Sequence, residues 1–301
     1  MDIHDAAATA RLLDYPSLIE TLATVVEEYG RGEIVSPERL VVPTGDRRGL
    51  LLSMPCDARD IVAHKLLTIY SGNPASGLPA IQGQVTAFDA ANGTPLFCLD
   101  GPTVTARRTA AITLLGIRHL APSAPRSVLL IGTGAQALGH VEALLAIYPE
   151  VSIRVRGRSA ASARVFCERA GGRHGQVVPD STAAGPVDVV IAVTSSKIPV
   201  YDEEADAARL VVGVGAYRLD MIEIGARLIR GSQVYVDDPI GAPVEAGDIA
   251  AAGTDWSTVR PLASALSGQS DFARPIFFKS VGCAAWDLAA CRAARTALTR
   301  L

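Results

Sequence analysis

The fold is decided by the stretch Ser127-Val-Leu-Leu-Ile-Gly132-Thr-Gly134-Ala-Gln-Ala137. It predicts a buried strand, a glycine-rich turn and the start of a helix, in the GxGxxA form of the dinucleotide-binding fingerprint. Gly132 permits the tight turn, Gly134 lets a pyrophosphate approach the backbone, and the small Ala137 allows the helix to pack closely. The N-terminus of the helix would face the phosphates. An ordinary glycine turn is the alternative, and the position at the head of a β-α-β unit favours the dinucleotide site.

Alternating strands and helices continue from this stretch. The apolar patterns predict strands at 127–131, 152–155, 187–193 and 210–214, with helices at 135–147 and 160–170. Such alternation is typical of a parallel, doubly wound sheet. We therefore predict an α/β protein with a Rossmann-type doubly wound parallel sheet.

The chain before this region has a different pattern, which predicts a second, α+β domain. A capping box at Ser17 and Glu20 opens an amphipathic helix that ends at Gly30. Predicted strands follow at 40–42, 50–54 and 61–69, then a hairpin of 85–88 with 96–99, and a helix from Thr103 that Gly116, Pro122 and Pro125 end. A last helix at 284–298 is expected to return to this domain. We predict one domain over 1–118, completed by 284–301, and the Rossmann domain over 119–283.

The residues after the second Rossmann strand decide the cofactor. An NAD-specific fold usually places an acidic residue about 20 residues beyond the glycines, where it holds the ribose hydroxyls. Here that place is Gly157, followed by Arg158 and Ser159. A guanidinium and a hydroxyl can bind a 2′-phosphate, which a carboxylate would repel. We predict NADPH, with NADH less favoured; the alternative is that Arg154, Arg156 and Arg158 form only a solvated strand edge.

Composition excludes several classes of protein. The 28 Lys and Arg residues against 31 Asp and Glu give a net charge of -3, so neither nucleic acid nor an anionic membrane is an expected partner. The five cysteines are odd in number and form no CxxC pair, which predicts no metal site and a reducing cytoplasm. We expect neither a signal peptide nor a membrane span, because the N-terminus has no basic stretch before an apolar core and no apolar run approaches about 18 residues.

Motifs outside the fingerprint resemble the ornithine cyclodeaminase/mu-crystallin family over nearly the whole chain. They are His64-Lys65-Leu-Leu-Thr68, Gly72-Asn-Pro74, Gly77-Leu-Pro79, Gln82-Gly83, Leu99-Asp-Gly101, Thr105-Ala-Arg107-Arg108-Thr109-Ala110, Gly132-Thr-Gly134-Ala-Gln136, Tyr235-Val-Asp237 and Phe278-Lys279-Ser280-Val-Gly282. Within that family the chain looks most like the bacterial Δ1-pyrroline-2-carboxylate/Δ1-piperideine-2-carboxylate reductases. The resemblance implies an NADP-binding Rossmann domain and a second domain that binds substrate and forms a homodimer.

The resemblance also implies roles for particular residues. Arg39 and Arg108 match the basic positions that hold the substrate carboxylate, and Lys65 matches the active-site lysine. A guanidinium suits a carboxylate, and an ammonium can be a proton source, with Asp220 as a second candidate. Surface salt bridges are the alternative for the arginines. The expected cofactor contacts are Thr109, Gly132, Thr133, Gly134, Ala135, Gln136, Arg158, Ser159 and Thr194.

One departure from the family favours reduction of a cyclic imine. Ornithine cyclodeaminases carry an aspartate three positions before the one aligned with Asp220, where it acts on the distal amine of the substrate. This chain has Tyr217 there. The resemblance therefore implies reduction of a cyclic 2-ketimine carboxylate to proline or pipecolate in proline metabolism. The alternatives are a cyclodeaminase, an amino-acid dehydrogenase, or a non-catalytic protein that binds NADPH and a small ligand.

Overall fold

The chain divides into two compact units in a computed structural model that describes residues 1–46, 48–171, 175–181 and 185–300. The first unit comprises Met1–Thr109 and the residues from Cys283 onward, and the second comprises Ala110–Gly282. Within the described ranges no helix has the length and apolar character needed to cross a membrane. The division at 109/110 and the predicted boundary at 118/119 fall within the same helix.

The first unit is built on a six-stranded sheet in the order β1-β6-β5-β4-β3-β2. Strands β2 to β6 pair antiparallel, and the short β1 joins β6 in parallel. The predicted hairpin is confirmed as β5 and β6. The elements are β1 (Asp2–Ile3), α1 (Ala6–Leu12), α2 (Tyr15–Gly30), β2 (Leu40–Pro43), β3 (Leu50–Asp57), β4 (Ile61–Ile69), β5 (Ile81–Asp89), β6 (Pro95–Asp100) and α3 (Gly101–Leu120).

Helix α2 begins earlier than the sequence predicts. The Asp14 carboxylate accepts a hydrogen bond from the Ser17 backbone N–H at 3.0 Å, so Asp14 and not Ser17 is the N-cap. The proline in the first turn suits this start, because its missing N–H would have had no partner there. The prediction of a capping box at Ser17 and Glu20 was wrong. The predicted apolar face is confirmed, since Leu18, Ile19, Leu22, Val25 and Val26 are all buried.

The second unit is a doubly wound parallel sheet of the Rossmann type, in the order β13-β12-β14-β11-β10-β7-β8-β9. The strand order reverses at β7, which pairs with β8 on one side and β10 on the other. The elements are β7 (Ser127–Ile131), α4 (Ala135–Ile147), β8 (Ser152–Arg156), α5 (Ala160–Ala170), β9 (Val177–Pro179), β10 (Val189–Ala192), β11 (Leu210–Gly213), α6 (Ala226–Arg230), β12 (Gln233–Val236), α7 (Ala242–Glu245), α8 (Gly247–Ala252), β13 (Arg260–Pro261), α9 (Leu262–Leu266) and β14 (Ile276–Lys279).

Helix α3 does not end at Gly116, as the sequence predicted, but continues to Leu120. A Cβ atom at position 116 would lie 2.4 Å from Cε1 of Phe278 in β14. Glycine is therefore present because the helix passes close to an aromatic ring. A glycine in the middle of a helix destabilises it by about 1 kcal/mol relative to alanine, and the close packing requires it here. The prediction was wrong for Gly116, because close packing, like a turn, selects glycine, whereas the helix does end before Pro122 and Pro125, as predicted.

The last helix, α10 (Ala284–Leu298), belongs to the first unit. It packs against α2 and against the sheet strands β3, β4 and β5. Its N-terminal two turns are fully buried, including Trp286 and Asp287. An aspartate at 1% exposure is unusual, because a buried carboxylate is stable only when it has charged or hydrogen-bonding partners.

Candidate active site

Lys65 lies on the core face of β4. Burial alternates along this strand, with Ala63, Lys65 and Leu67 on the buried side. In the sheet Lys65 stands opposite Met54 of β3 and Val85 of β5. The lysine is therefore held at a central position of the sheet that would normally carry an apolar side chain, and it is 1% exposed.

Asp287 of α10 joins Lys65 to Arg108 of α3. The Lys65 ammonium is 2.7 Å from Oδ2 of Asp287, and Nε of Arg108 is 3.2 Å from Oδ1. All three residues are nine-tenths or more buried. Within the described ranges, the terminal nitrogens of Arg108 form no hydrogen bond. Because a buried guanidinium needs acceptors, these nitrogens are available for a bound anion.

The neighbouring Arg107 has a structural role. Its Nε donates a hydrogen bond of 2.7 Å to the Leu13 carbonyl, and its guanidinium lies 4.0 Å from the centre of the Tyr15 ring. The two consecutive arginines of α3 thus face different surroundings. The predicted carboxylate ligand is Arg108, the one that lies beside the buried lysine.

Arg39 adds a third cation to this group, which we call the cation cluster (Arg39, Lys65, Arg108 and Asp287). Arg39 is half-buried just before β2, and its charge lowers the pKa of Lys65. Two cationic side chains, Lys65 and Arg108, share the carboxylate of Asp287, so positive charge is in excess among these three residues. In a buried site such an excess is costly unless an anion neutralises it.

Burial lowers the pKa of Lys65 to about 8, from an ordinary value of 10.5. The negative charge of Asp287 opposes this shift, whereas the positive charges of Arg108 and Arg39 add to it. A lysine with this pKa is mostly protonated at neutral pH and yet releases its proton more readily than a lysine in water. Lys65 is therefore suited to donate a proton near neutral pH.

The glycine turn of the second unit has the geometry that a dinucleotide requires. Gly132 has a φ of 128°, and a Cβ atom there would lie 2.9 Å from the carbonyl oxygen of Val193. Its N–H donates a 2.9 Å hydrogen bond to the Arg156 carbonyl in the next strand. Only glycine can occupy this position without moving the two neighbouring strands apart.

The start of α4 has room for a phosphate. Gly134 is its N-cap, and no side chain accepts a hydrogen bond from the first turn. A Cβ atom at Gly134 would meet no heavy atom within 4 Å, and Ala135 is exposed. Oε1 of Gln136 is buried and has no hydrogen-bond partner in the described part of the chain. Uncapped N–H groups and open space fit the pyrophosphate end of a dinucleotide.

The three arginines near the end of β8 have different surroundings. Arg154 donates a 2.5 Å hydrogen bond to the Gly185 carbonyl, and Arg156 forms a 2.7 Å ion pair with Asp180. Arg158 is exposed and pairs with no residue that the structure describes. The strand-edge alternative therefore applies to the first two arginines, while Arg158 is free to bind a ligand.

Ser159 follows Arg158 and is the N-cap of α5. Its hydroxyl oxygen accepts a 3.2 Å hydrogen bond from the Ser162 backbone N–H. Arg158 thus lies at a helix N-terminus, where the helix dipole adds to the attraction for an anion. This is a suitable place for a 2′-phosphate.

The remaining predicted residues lie in three different places. Thr194 lies in the segment that follows β10, and its N–H donates a 2.5 Å hydrogen bond to Glu223. Thr109 is buried in the first unit, so its assignment to the cofactor stays a prediction. Asp220 is exposed and pairs with Arg218 and Lys197 at 2.7 and 2.9 Å.

Asp220 is poorly suited to supply a proton. Its hydrogen bonds with Arg218 and then Lys197 are the main causes that hold its carboxyl pKa well below the usual range. The group is therefore ionised at neutral pH. The reaction proposed below does not use it.

Sequence reasoning missed Asp287. A signal was present, because an acidic residue in the first turn of an otherwise alanine-rich and apolar helix calls for a buried partner. The sequence could not name that partner, since Lys65 and Asp287 are more than 200 residues apart in the chain.

Comparison with known proteins identifies the family. The model of the ornithine cyclodeaminase/mu-crystallin family matches residues 2–299. The chain belongs to this family.

Two curated family members are similar over almost their whole length. One is the Δ1-pyrroline-2-carboxylate/Δ1-piperideine-2-carboxylate reductase of Azospirillum brasilense, 55% identical over 98% of this chain and 96% of that protein. The other is Δ1-pyrroline-2-carboxylate reductase 2 of Burkholderia ambifaria, 55% identical over 98% of this chain and 95% of that protein. The mouse ketimine reductase mu-crystallin is 30% identical over 91% of this chain and 90% of that protein.

A solved structure has the same fold. It is the Thermococcus litoralis Δ1-pyrroline-2-carboxylate reductase in complex with NADH and L-proline, with a TM-score of 0.88 and 23% identity. The match covers 100% of this chain and 98% of that one. The prediction of a Rossmann-type α/β fold is thus confirmed.

The charge balance of the cation cluster predicts how Lys65 titrates. We expect its ammonium to lose its proton with a midpoint at a pH of about 8. Asp287→Asn should lower this midpoint further, because it removes the charge that favours the protonated form. NMR of 13Cε-labelled lysine can measure this, because the chain contains only Lys65, Lys197 and Lys279.

The matched control is Asp60→Asn, which removes a carboxylate that pairs with Arg292 and Arg295 elsewhere in the first unit. It should leave the Lys65 midpoint in place. A Lys65 midpoint that rises, or stays unchanged, in Asp287→Asn would contradict the description of the cluster.

Proposed function

We propose that the chain is an NADPH-dependent reductase of cyclic 2-ketimine carboxylates. Its substrates would be Δ1-pyrroline-2-carboxylate, Δ1-piperideine-2-carboxylate or both, and its products L-proline and L-pipecolate. The observation that carries the proposal is the excess positive charge of the buried cation cluster, in a chain whose other unit has a dinucleotide fingerprint. The names of the two relatives at 55% identity support the same reaction.

The cation cluster would bind the substrate through its carboxylate. The free terminal nitrogens of Arg108 can hold two carboxylate oxygens in a bidentate pair, with Arg39 as the second cation. Asp287 would keep Arg108 in orientation through its Oδ1 atom, 3.2 Å from Nε. The ring of the substrate is then fixed by its carboxylate, so that one face can be presented to the hydride donor.

The reaction adds a hydride and a proton across the C=N bond. A nicotinamide cofactor, which Gly132, Gly134 and Arg158 would hold, would supply a hydride to C2 when bound, and the π electrons of the C=N bond would move to the nitrogen. Lys65 would supply the proton to that nitrogen, directly or through water, because its lowered pKa of about 8 makes it a ready donor. Asp287, 2.7 Å from the ammonium, would both position Lys65 and keep it protonated before the transfer.

Reduction is favoured over cyclodeamination by the residue at position 217. A cyclodeaminase needs a group that binds and deprotonates the distal amine of its substrate. Tyr217 offers no carboxylate for this purpose and is 43% exposed. A substrate that is already cyclic needs no such group.

The direct test is a single assay. Purified protein with NADPH and Δ1-pyrroline-2-carboxylate should lower the absorbance at 340 nm, and L-ornithine with NAD+ should release no ammonia. A protein that binds NADPH without oxidising it, with either ring size, would contradict the proposal and favour a non-catalytic binding protein.

Arg108→Lys should lower kcat/KM by roughly ten- to a hundredfold while NADPH affinity stays level. The substitution keeps the charge but replaces a bidentate fork by a single ammonium, so the ring can tilt. The matched control is Arg107→Lys on the same helix, which should leave kcat/KM within about threefold, as expected for a residue with a structural role. Steady-state kinetics and fluorescence titration give the two readouts, and equal kcat/KM for both variants would exclude Arg108 from the site.

Arg158→Asp should weaken NADPH much more than NADH. It removes a charge-assisted contact worth about 1.5–3 kcal/mol, or roughly ten- to more than a hundredfold in affinity, and adds a repelling charge. Arg164→Asp, an exposed site on α5, controls for the change in net charge. The measurement is the ratio of the dissociation constants for NADPH and NADH. An unchanged ratio in Arg158→Asp would contradict the role of Arg158 in a preference for NADPH.

A homodimer is supported by the free edge of the six-stranded sheet. Strand β2 is the last of its sheet, and Leu40, Val41 and Val42 are 60%, 45% and 41% exposed. An apolar edge strand is a template for pairing with another strand, and a second copy of the chain would cover it.

Val41→Lys should therefore shift the molar mass found by light scattering towards the monomer. Val165→Lys, at an equally apolar exposed position on α5, should not; a wild-type monomer would contradict this proposal.

A further inference from the structure

Glu223 is a fully buried carboxylate in the segment that follows β11. Its Oε1 atom accepts a hydrogen bond of 2.5 Å from the Thr194 N–H. Its Oε2 atom accepts bonds of 2.6 and 2.9 Å from the N–H groups of Gly215 and Ala216. One side chain thus joins the backbone beyond β10 to the backbone beyond β11.

Two further buried charges hold this carboxylate in place. Lys279, the last residue of β14, is 2.7 Å from Asp248 and 4.0 Å from Glu223. Asp248 in turn accepts hydrogen bonds of 2.5 and 3.0 Å from the backbone N–H groups of Glu223 and Ile224. All three charged side chains are 0% exposed. The conformation of Glu223 is therefore fixed from both its side chain and its backbone.

This cluster lies at the carboxyl ends of three adjacent strands, β10, β11 and β14. Ligands of doubly wound sheets bind beyond these ends, close to the point where the strand order reverses. Strand β10 is the direct neighbour of β7, which leads into the glycine turn. The segments that Glu223 joins are thus on the rim next to the turn.

The two segments are also in direct contact. A Cβ atom at Gly215 would lie 1.9 Å from the Thr194 carbonyl oxygen and 2.8 Å from Oε1 of Glu223. A neutral hydrogen-bonding or apolar side chain could fill the core at lower cost than a buried carboxylate, whose pKa is raised chiefly by burial. What a carboxylate adds is the ability to hold three backbone donors at once.

We propose that Glu223 is a positioning residue, which fixes Thr194 and Gly215–Ala216 as the rim against which the nicotinamide half of the cofactor lies. This inference rests on the proposed function only in that a nicotinamide cofactor binds. Glu223 touches neither the adenosine half nor the reacting atoms; it acts through the two backbone segments. The adenosine half, held by the glycine turn and Arg158, should not depend on it.

Glu223→Gln tests this separation. The amide oxygen can still accept hydrogen bonds from Gly215 and Ala216. The amide nitrogen would then face the Thr194 N–H, and because both are donors, the hydrogen bond to the segment that follows β10 is lost. The affinity for 2′,5′-ADP and for 5′-AMP, which lack nicotinamide, should stay within about twofold of wild type. The affinity for NADPH should fall by about tenfold or more, as expected for the loss of a hydrogen bond to a charged group. Calorimetric titration measures all three.

The matched control is Asp188→Asn. The Asp188 carboxylate also accepts from two backbone N–H groups, those of Arg126 and Ser127 at 2.8 Å, but at the amino end of β7. This variant should lower the melting temperature. It should not weaken NADPH binding more than the binding of 2′,5′-ADP and 5′-AMP. If the Gln variant fails to fold, Glu223→Asp replaces it, because it keeps the charge but is too short to reach both segments. It too should weaken NADPH binding and leave the binding of 2′,5′-ADP and 5′-AMP level.

Two results would overturn the proposal: NADPH affinity that stays level in folded Glu223 variants, or affinities for all three ligands that fall together, as a general loss of structure would cause. The titrations measure binding without turnover. If wild-type protein binds NADPH and reduces no ketimine, the proposed reaction fails while the role of Glu223 is still decided by the three affinities.

Discussion

The ion pairs of Lys65 and Arg108 with Asp287 are the constraint on which the first unit depends. A lysine in the middle of a sheet and an aspartate in the buried first turns of α10 would each be strongly destabilising alone. Their ion pair requires that α10 pack against the sheet where Asp287 can reach Lys65. The same ion pairs leave positive charge in excess, since Lys65 and Arg108 share the one carboxylate of Asp287. The packing of the unit and the anion binding that we propose for it therefore have one origin.

The second unit meets a different requirement, which is to present backbone N–H groups to a phosphate. Gly132 and the uncapped start of α4 have the geometry for this at the reversal of strand order, and we propose that the N-terminus of α5 with Arg158 forms a second anion site. Here a buried carboxylate, Glu223, is used to hold backbone in place. Asp287 and Glu223 thus show two uses of buried acidic groups: one orients cationic side chains, and the other orients main chain.

Sequence patterns were sufficient for features that depend on neighbouring residues. The glycine turn, the alternating Rossmann elements and the 85–99 hairpin follow from local periodicity and turn chemistry, and all are present. Features that depend on distant residues were not accessible. Gly116 appears as a helix end until Phe278 is seen beside it. The partnership of Lys65 with Asp287, and of Thr194 with Glu223, needs the folded topology.

The central claim is that the excess charge of the cation cluster binds the carboxylate of a planar ring. The most direct measurement compares pyrrole-2-carboxylate with its neutral analogue pyrrole-2-carboxamide, by calorimetric titration into protein saturated with NADPH. The two rings have the same shape, and the amide lacks the negative charge and offers an NH2 donor in place of one acceptor oxygen. The account predicts that the carboxylate binds at least about tenfold more tightly, the equivalent of one charge-assisted contact. Equal affinities would contradict it.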